Sequence, residues 1–442
     1  MALTDILRDR IDKKIEEHPT LRKILGNTGW MMGDQVIRQG VGLLVGVWMA
    51  RYLGPQLFGE FSFAFAFAMI FSPMAMLALD GIVIRKIVQS PACRDELLGT
   101  SFFLMMAGGV LAFGLAMTAA YLSRPDDPLV LWLVGIMVAG TVFQPFIAIE
   151  FWFEAQMQWK FTVYAKTSAF LLVSGIKIGL ILMEAPLVAF AWAFLAETAI
   201  GSLGLLFVYK LKGYSVGAWR FSVKMAATLL KDSWPLLFST VLVMIYMRID
   251  QVMLGSMTGS EALGNYSVAV RISEAWFFIP IVVCSSVFPV IVEAAGISED
   301  LFYGHLQKLY SLMSLLAYCV AVPVTFFASD IIDVLFSSAY SEAAPLLAIL
   351  IWAGLFSSLA TARNVFVVAK NRTRVDLVSI ALGCTANILL NFLLIPQHGA
   401  TGAVIATIVS YWFAVHGSCF LFSSLRKTGW MLTKAMVYPK IW

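Results

Sequence analysis

Charge is what this chain has least of: Lys, Arg, Asp and Glu make up 13% of its 442 residues, roughly half the ~25% usual in soluble domains. So little charge cannot solvate a globule of this size. With 60% hydrophobic residues, the chain reads as an all-α polytopic membrane protein. Histidine is scarce too, and His18, His305, His398 and His416 are dispersed with no ligand or triad spacing. The five cysteines, Cys93, Cys284, Cys319, Cys384 and Cys419, form no CxxC or Cys/His cluster. Four of them fall in apolar segments, where a thiol is a small packing group. No disulfide, metal site or cofactor is expected. No Walker-type phosphate loop is present, so ATP hydrolysis is not the expected energy source. No loop is long enough to house a catalytic domain, which argues against an enzyme, and nothing points to a nucleic-acid partner.

The opening segment, residues 1–26, lacks an uninterrupted apolar core before a small-residue cleavage site, so it does not read as a signal peptide. Its Leu3, Ile6, Leu7, Ile11 and Ile15 recur at helical spacing. Two readings stay open there, a short amphipathic helix on the cytoplasmic surface and a solvated tail.

At ~20 apolar residues per crossing, about twelve transmembrane helices are expected, over residues 27–50, 59–80, 98–122, 129–152, 165–183, 187–208, 235–256, 263–291, 309–329, 345–369, 376–396 and 401–424. The eighth is long and carries Pro280 and Pro289, which predict kinks rather than extra crossings. Of the 31 Lys and Arg, 24 fall in alternate loops and the termini on the side holding residue 1, and only Arg51 and Arg124 on the other. That asymmetry places both termini in the cytoplasm. The expected units are residues 27–208 as an N-lobe of six spans, 209–234 as a basic cytoplasmic linker, 235–424 as a C-lobe of six spans, and 425–442 as a cytoplasmic tail.

An internal repeat supports the division. Leu53-Gly54 followed by Gly59-Glu-Phe61-Ser62-Phe-Ala64 recurs as Leu254-Gly255 followed by Gly264-Asn-Tyr266-Ser267-Val-Ala269, about two hundred residues on, at the turn between the first two spans of each lobe. Residues 186–191 and 401–406 form a fainter echo. Because both copies face the same side, the lobes are parallel repeats about an axis along the membrane normal.

Five cations remain inside the spans: Arg38, Lys177, Arg248, Arg271 and Arg363. Charge at membrane depth costs at least ~2.5–3.5 kcal/mol unless paired or hydrated, so each is a functional candidate. Asp34 and Arg38 are spaced to pair at i,i+4. Lys177 and Glu197 fall near mid-depth on successive spans, either a structural pair or an ion relay. Arg363 is expected to snorkel to the inner interface. Glu274, three residues beyond Arg271, is placed to pair with it, which leaves Arg248 without a local partner, since Asp250 points to a different face. A substrate phosphate would satisfy the Arg248 fork. Arg248, Arg271, Arg38, Lys177 and Arg363 are thus the candidates for anionic substrate, and Asp34, Glu197, Asp250 and Glu274 those for ion coupling. Glu150 and Glu154 read as interfacial or gating residues, with Trp152 and Trp159 in an aromatic belt.

Three stretches carry a family resemblance. They are Arg248-Ile-Asp250 through Leu254-Gly255 with Ala262-Leu-Gly264-Asn-Tyr266 through Arg271; Ala50-Arg-Tyr-Leu-Gly54-Pro55 through Gly59; and Ala386-Asn387 through Asn391, Pro396 and Gly399 to Ala403. In this order they resemble the polysaccharide transporter family, the O-antigen and lipid-linked oligosaccharide flippases of the multidrug/oligosaccharidyl-lipid/polysaccharide exporter superfamily. The resemblance implies two six-helix lobes around a central cavity that opens to each face in turn. It implies a substrate, an undecaprenyl-diphosphate-linked oligosaccharide moved across the bacterial inner membrane. It further implies contact with membrane lipid, coupling to H+ or Na+, and polysaccharide polymerase and chain-length proteins as partners. A lipid II flippase and a multidrug antiporter of the same superfamily are the alternatives, the latter disfavoured by the membrane cations. A membrane polysaccharide polymerase is the different-class alternative, disfavoured by the short loops and the repeat.

Overall fold

A computed structural model describes residues 19–440, with side chains described from Gly29 onward. The segment expected to be amphipathic over residues 1–26 therefore lies almost wholly outside the described residues. Among the described residues, ten helical stretches are long and apolar enough to cross a membrane. Two of them, Gly29–Gln89 and Thr373–Phe420, contain 61 and 48 residues. At 1.5 Å per residue these would be about 90 and 70 Å long if straight, two to three bilayer cores. Each is broken by a glycine at positive φ, Gly54 in the first and Gly399 in the second. Each therefore turns back on itself, which gives the expected twelve crossings.

In chain order the helices are α1 (Pro19–Met76), α2 (Asp80–Gln89), α3 (Arg94–Ser123), α4 (Pro128–Val138), α5 (Ala148–Ala155), α6 (Trp159–Leu182), α7 (Leu187–Leu211), α8 (Val223–Met257), α9 (Ser260–Glu274), α10 (Phe278–Ile297), α11 (Glu299–Phe326), α12 (Ala328–Phe336), α13 (Ala343–Leu350), α14 (Ala353–Ala369), α15 (Thr373–Val415) and α16 (Arg426–Val437). The eighth span breaks between α9 and α10, just before Pro280, while α10 runs on through Pro289.

Apolar residues bury into three cores whose placement defines the shape. One core draws on both lobes, with Leu53, Phe63 and Phe190 packed together with Leu263, Tyr266 and Leu346. The other two are each local to one lobe and the segment that follows it: Ile87 and Phe153 of the N-lobe with Leu229 of the linker, and Phe302 and Leu359 of the C-lobe with Leu432 of the tail. The shared core lies toward the face whose only cations are Arg51 and Arg124, the charge-poor face in the sense of positive charge. The separate cores lie toward the opposite, basic face. The lobes thus meet at one face and part toward the other, where Trp30, Val36 and Ile37 of α1 stand exposed.

The join is reciprocal. A Cβ on Gly59 would overlap the carbonyl of Ser260, and a Cβ on Gly264 would overlap the carbonyl of Pro55. Each glycine lies against the residue four positions before the other, so the crossing is the same from both sides, as an axis along the membrane normal requires. Gly54 (φ 73°, ψ 170°) and Gly259 (φ 101°, ψ 177°) open the two helical segments in a conformation reserved almost entirely for glycine. Gly54 and Gly59 therefore correspond to Gly259 and Gly264, and Gly255, which the sequence pairs with Gly54, has a different task.

Two connections are more structured than the sequence suggests. The linker, residues 209–234, packs on the N-lobe: the Arg220 N–H donates to the Asp95 carbonyl (3.1 Å), the Ser222 N–H donates to Thr100 Oγ1 (3.1 Å), and α8 already begins at Val223. The tail is helical as well. Along α16, the carbonyls of Met431 and Met436 accept from Gln307 Nε2 (3.2 Å) and the Tyr318 hydroxyl (2.7 Å) of α11.

Candidate substrate cavity

Below the glycine crossing, a cavity of about 400 Å³ opens between α1 of the N-lobe and α8 and α9 of the C-lobe. Its polar lining is Gln39 and Ser62 from one lobe and Arg248, Gln251, Ser267, Arg271 and Glu274 from the other, with Phe58, Phe61 and Phe65 alongside. Arg248 and Arg271 lie a similar number of residues on either side of the turn 256–264, so helical rise puts them at one depth, and the structure brings both into this cavity.

Their partners are exchanged relative to the sequence reading. Glu274 pairs with Arg248, not Arg271: the two Nη atoms of Arg248 donate to the two carboxylate oxygens at 3.2 and 2.8 Å. The physical reason is twofold. A cation N-terminal to a carboxylate is the poorer order along a helix, whereas the bidentate fork across α8 and α9 has matched geometry. Arg248 is thereby neutralised, and Arg271 is the cation left over. Its guanidinium crosses to the N-lobe, where Nη2 lies 3.5 Å from the Gly42 carbonyl and the group fills a notch left by the missing side chain of Gly46. Among the described residues no carboxylate forms an ion pair with Arg271.

Asp250 is buried inside the C-lobe rather than in the cavity. It accepts from the Tyr266 hydroxyl, from Thr407 Oγ1 (3.1 Å) and from the Gln251 N–H (2.7 Å). Ser410 continues the thread by donating to the Thr407 carbonyl, and Asn387 and Asn391 extend it, at 3.0 Å per link. In the sequence these asparagines figure only in the family resemblance. Their i,i+4 spacing in an apolar run was the available signal that they share a polar face.

The other candidates are paired in the N-lobe or buried in the C-lobe. Arg38 Nε donates to Asp34 at 2.9 Å, as expected from spacing, while Thr167 also donates to Asp34 and the guanidinium sits over the Phe170 ring. Lys177 pairs with Glu197 at 3.0 Å, an arrangement that both readings allow. Arg38, Glu150, Lys166 and Glu197 line a second, smaller cavity of about 190 Å³ within the N-lobe, where Lys166 pairs with Glu150 at 2.7 Å. Arg363 does not snorkel. It is 3% exposed, donating to the carbonyls of Ala414 (3.0 Å) and Val415 (2.9 Å) and to Asp376. The end of α15 offers unsatisfied carbonyls, and a buried guanidinium satisfies them better than the interface would.

Arg124, which sequence reading used only to orient the chain, holds the charge-poor face shut. From the N-lobe it donates to the Gly255 carbonyl and to Ser260 Oγ (3.1 Å) of the C-lobe, sits 4.5 Å over the Phe63 ring and is braced by Asp127 at 3.5 Å. Burial pulls its pKa below the ordinary value, with Asp127 and Glu60 opposing that shift. Tyr340, in the connection between the ninth and tenth spans, donates to the Ala50 carbonyl across the same seam at 2.7 Å.

Two parallel lobes, a polar cavity at their seam and a seal on one face are the architecture of a membrane transporter. The profile of the family described as "Polysaccharide biosynthesis protein" matches residues 24–295, and that of MatE matches residues 235–393. The chain belongs to the polysaccharide biosynthesis protein family, within the multidrug/oligosaccharidyl-lipid/polysaccharide exporter superfamily, and is a flippase-type transporter. The probable flippase AglR of Haloferax volcanii is 21% identical over 400 residues, 88% of this chain and 81% of that protein. An uncharacterized membrane protein of Methanocaldococcus jannaschii, MJ1068, is 26% identical over 166 residues, which span 37% of this chain and only 32% of its own length. Among solved structures, the lipid II flippase MurJ in an inward closed conformation superposes with a TM-score of 0.70 at 14% identity, covering 94% of this chain and 91% of its own. An inward-facing multidrug resistance MATE family transporter gives 0.69 at 16% identity, covering 89% and 96%.

Proposed function

We propose that this protein translocates an undecaprenyl-diphosphate-linked oligosaccharide, an O-antigen or similar polysaccharide repeat unit, across the bacterial inner membrane. The observation that carries this reading is the charge state of the cavity. Arg248 is neutralised by Glu274, but Arg271 faces the same space without a carboxylate. A cavity with one uncompensated guanidinium favours an anion and repels a cationic drug, which supports the flippase reading over multidrug export. Phosphate oxygens match the guanidinium fork. Gln39, Gln251, Ser62 and Ser267 supply donors and acceptors suited to sugar hydroxyls. The basic face is the cytoplasmic one by the positive-inside rule, so the cavity loads from the cytoplasm.

Asp250, buried without a cation on Tyr266 and Thr407, is the group we assign to ion coupling, with H+ or Na+ as the ion. Asp34, Glu197 and Glu274 already hold Arg38, Lys177 and Arg248. Polymerase and chain-length proteins would receive the product. Deleting the gene should cause undecaprenyl-linked oligosaccharide to accumulate in the cytoplasmic leaflet. Unchanged levels and leaflet distribution of that lipid would refute the reading.

A further inference from the structure

We propose that Arg271 is a clasp between the two lobes, released by a phosphate-bearing headgroup entering the cavity. The proposal rests on the function above and adds how loading would be linked to lobe movement. It starts from Gly46. A side chain there would overlap the Arg271 guanidinium from three of its atoms, whereas Gly40, nearby on α1, has open space around it. The notch is therefore specific to the position of the arginine.

What holds the guanidinium in the notch is weak. A 3.5 Å contact to a neutral carbonyl is at the outer limit of hydrogen bonding, and no carboxylate compensates the charge. A phosphate oxygen is the stronger acceptor because charge-assisted bonds are roughly twice as strong as neutral ones. Nη2, the atom now turned to Gly42, is part of the edge a phosphate would need for a bidentate contact. Binding and clasping thus compete for the same atoms. Arg248 cannot act in this way, because its fork is already matched by Glu274.

Release would reach the seal through α9, on which Arg271 and Gly264 both lie. Gly46 and Gly59 stand on either side of the Gly54 break in α1. The clasp therefore joins α9 to the first span of α1, and the glycine crossing joins the same α9 to the second. Freeing the lower contact leaves the glycine crossing and Arg124 to hold the lobes together, so an occupied cavity is the state in which that seal parts more readily.

The test is a spin-label distance between α1 and α10 in the full chain in nanodiscs, with Cys93 and Cys319 replaced by serine. Labels go at Leu44→Cys and Ile281→Cys, which are 69% and 55% exposed. Undecaprenyl diphosphate is the lipid probe and inorganic pyrophosphate the free anion. With the native cavity, undecaprenyl diphosphate should lengthen the distance, and pyrophosphate should do so only at higher concentration. A response to pyrophosphate at equal concentration would make the free anion, not the lipid, the releasing ligand. Gly46→Ala should show the lengthened distance without ligand while keeping its affinity for the lipid within about threefold, a difference below 1 kcal/mol. Gly40→Ala should behave as the parent. Arg271→Gln should be lengthened without ligand, unresponsive to either probe, and weaker in binding by at least about tenfold. Unliganded distances in Gly46→Ala and Arg271→Gln that match the parent would overturn the clasp, even with lipid binding intact. Absence of lipid diphosphate binding to the parent would instead overturn the proposed function.

Discussion

The reciprocal glycine crossing gives the sharpest mechanical prediction. Replacing Gly264 by alanine puts a methyl group into the Pro55 carbonyl, and replacing Gly59 puts one into the Ser260 carbonyl. Carbon and oxygen settle at about 3.3–3.6 Å, so either methyl forces the two segments apart by roughly an ångström or more. A radial gap of ~0.5–1 Å forfeits a quarter to a half of each dispersion contact, and overpacking of this kind costs about 1–3 kcal/mol. The cost falls only on the arrangement in which the charge-poor face is closed. Taking about 2 kcal/mol, that arrangement loses roughly 30-fold in population relative to one with the face open, at 1.4 kcal/mol per decade. Pseudo-symmetry makes the two substitutions equivalent. The double variant should be less than additive, since the first methyl already separates the helices. Ser62, 6% exposed and lining the cavity, reports the outcome as Ser62→Cys labelled by an impermeant maleimide from the charge-poor side. The rate should be low in the parent and rise by about tenfold or more in either glycine variant. Unaltered labelling in both, with normal membrane levels, would refute the seal.

Two further outcomes follow from side chains around the same seam. Arg124→Ala removes the cross-lobe bonds to Gly255 and Ser260 and should raise Ser62→Cys labelling from the charge-poor side, with Arg124→Lys in between because a point charge replaces the fork. Glu274→Gln leaves Arg248 uncompensated and should cost about 1–3 kcal/mol, below the figure for a fully buried pair because the two side chains are 16% and 26% exposed, read as a lower Tm in detergent. The exchange of Arg248→Glu with Glu274→Arg should recover part of that loss, and no difference between the single and exchanged variants would show that the pair is not a unit.

The architecture was legible because membrane helices are specified by composition over about twenty residues, and no local detail overturns that. Twelve crossings, the kink before Pro280 and the parallel repeat all follow from apolar length, proline and glycine. The register of the repeat was not fully legible. Leu53-Gly54 matches Leu254-Gly255 in letters, but Gly259 is the residue that adopts the positive φ of Gly54, because four residues at the end of α8 have no counterpart in α1. Letters align Gly255 with Gly54, whereas backbone conformation aligns Gly259 with it. The linker and tail were read as chain between or beyond the lobes because they are polar enough to be solvated. Polarity does not prevent docking when backbone groups find partners, as Arg220 and Ser222 do on α3.

The cavity shows where sequence spacing stops carrying the argument. Its two arginines could be placed together because both lie a similar number of residues from one turn, a statement about helical rise. Which of them is free could not be found that way. Local spacing offers Glu274 to Arg271 at i+3 and offers Arg248 nothing, yet Glu274 turns to Arg248, 26 residues away. The choice is made by which pair achieves two parallel bonds with the less desolvation, a property of how α8 and α9 pack and not of either helix alone. Arg271 in turn settles against Gly42, 229 residues earlier, at a place marked only by the absence of a side chain on Gly46. In a chain with so few charges each such placement matters more, since there is no surplus of ions to re-pair. Moving one carboxylate from one arginine to the other relocates the cavity's net positive charge from α8 to α9, and with it the residue against which an incoming anion would be drawn.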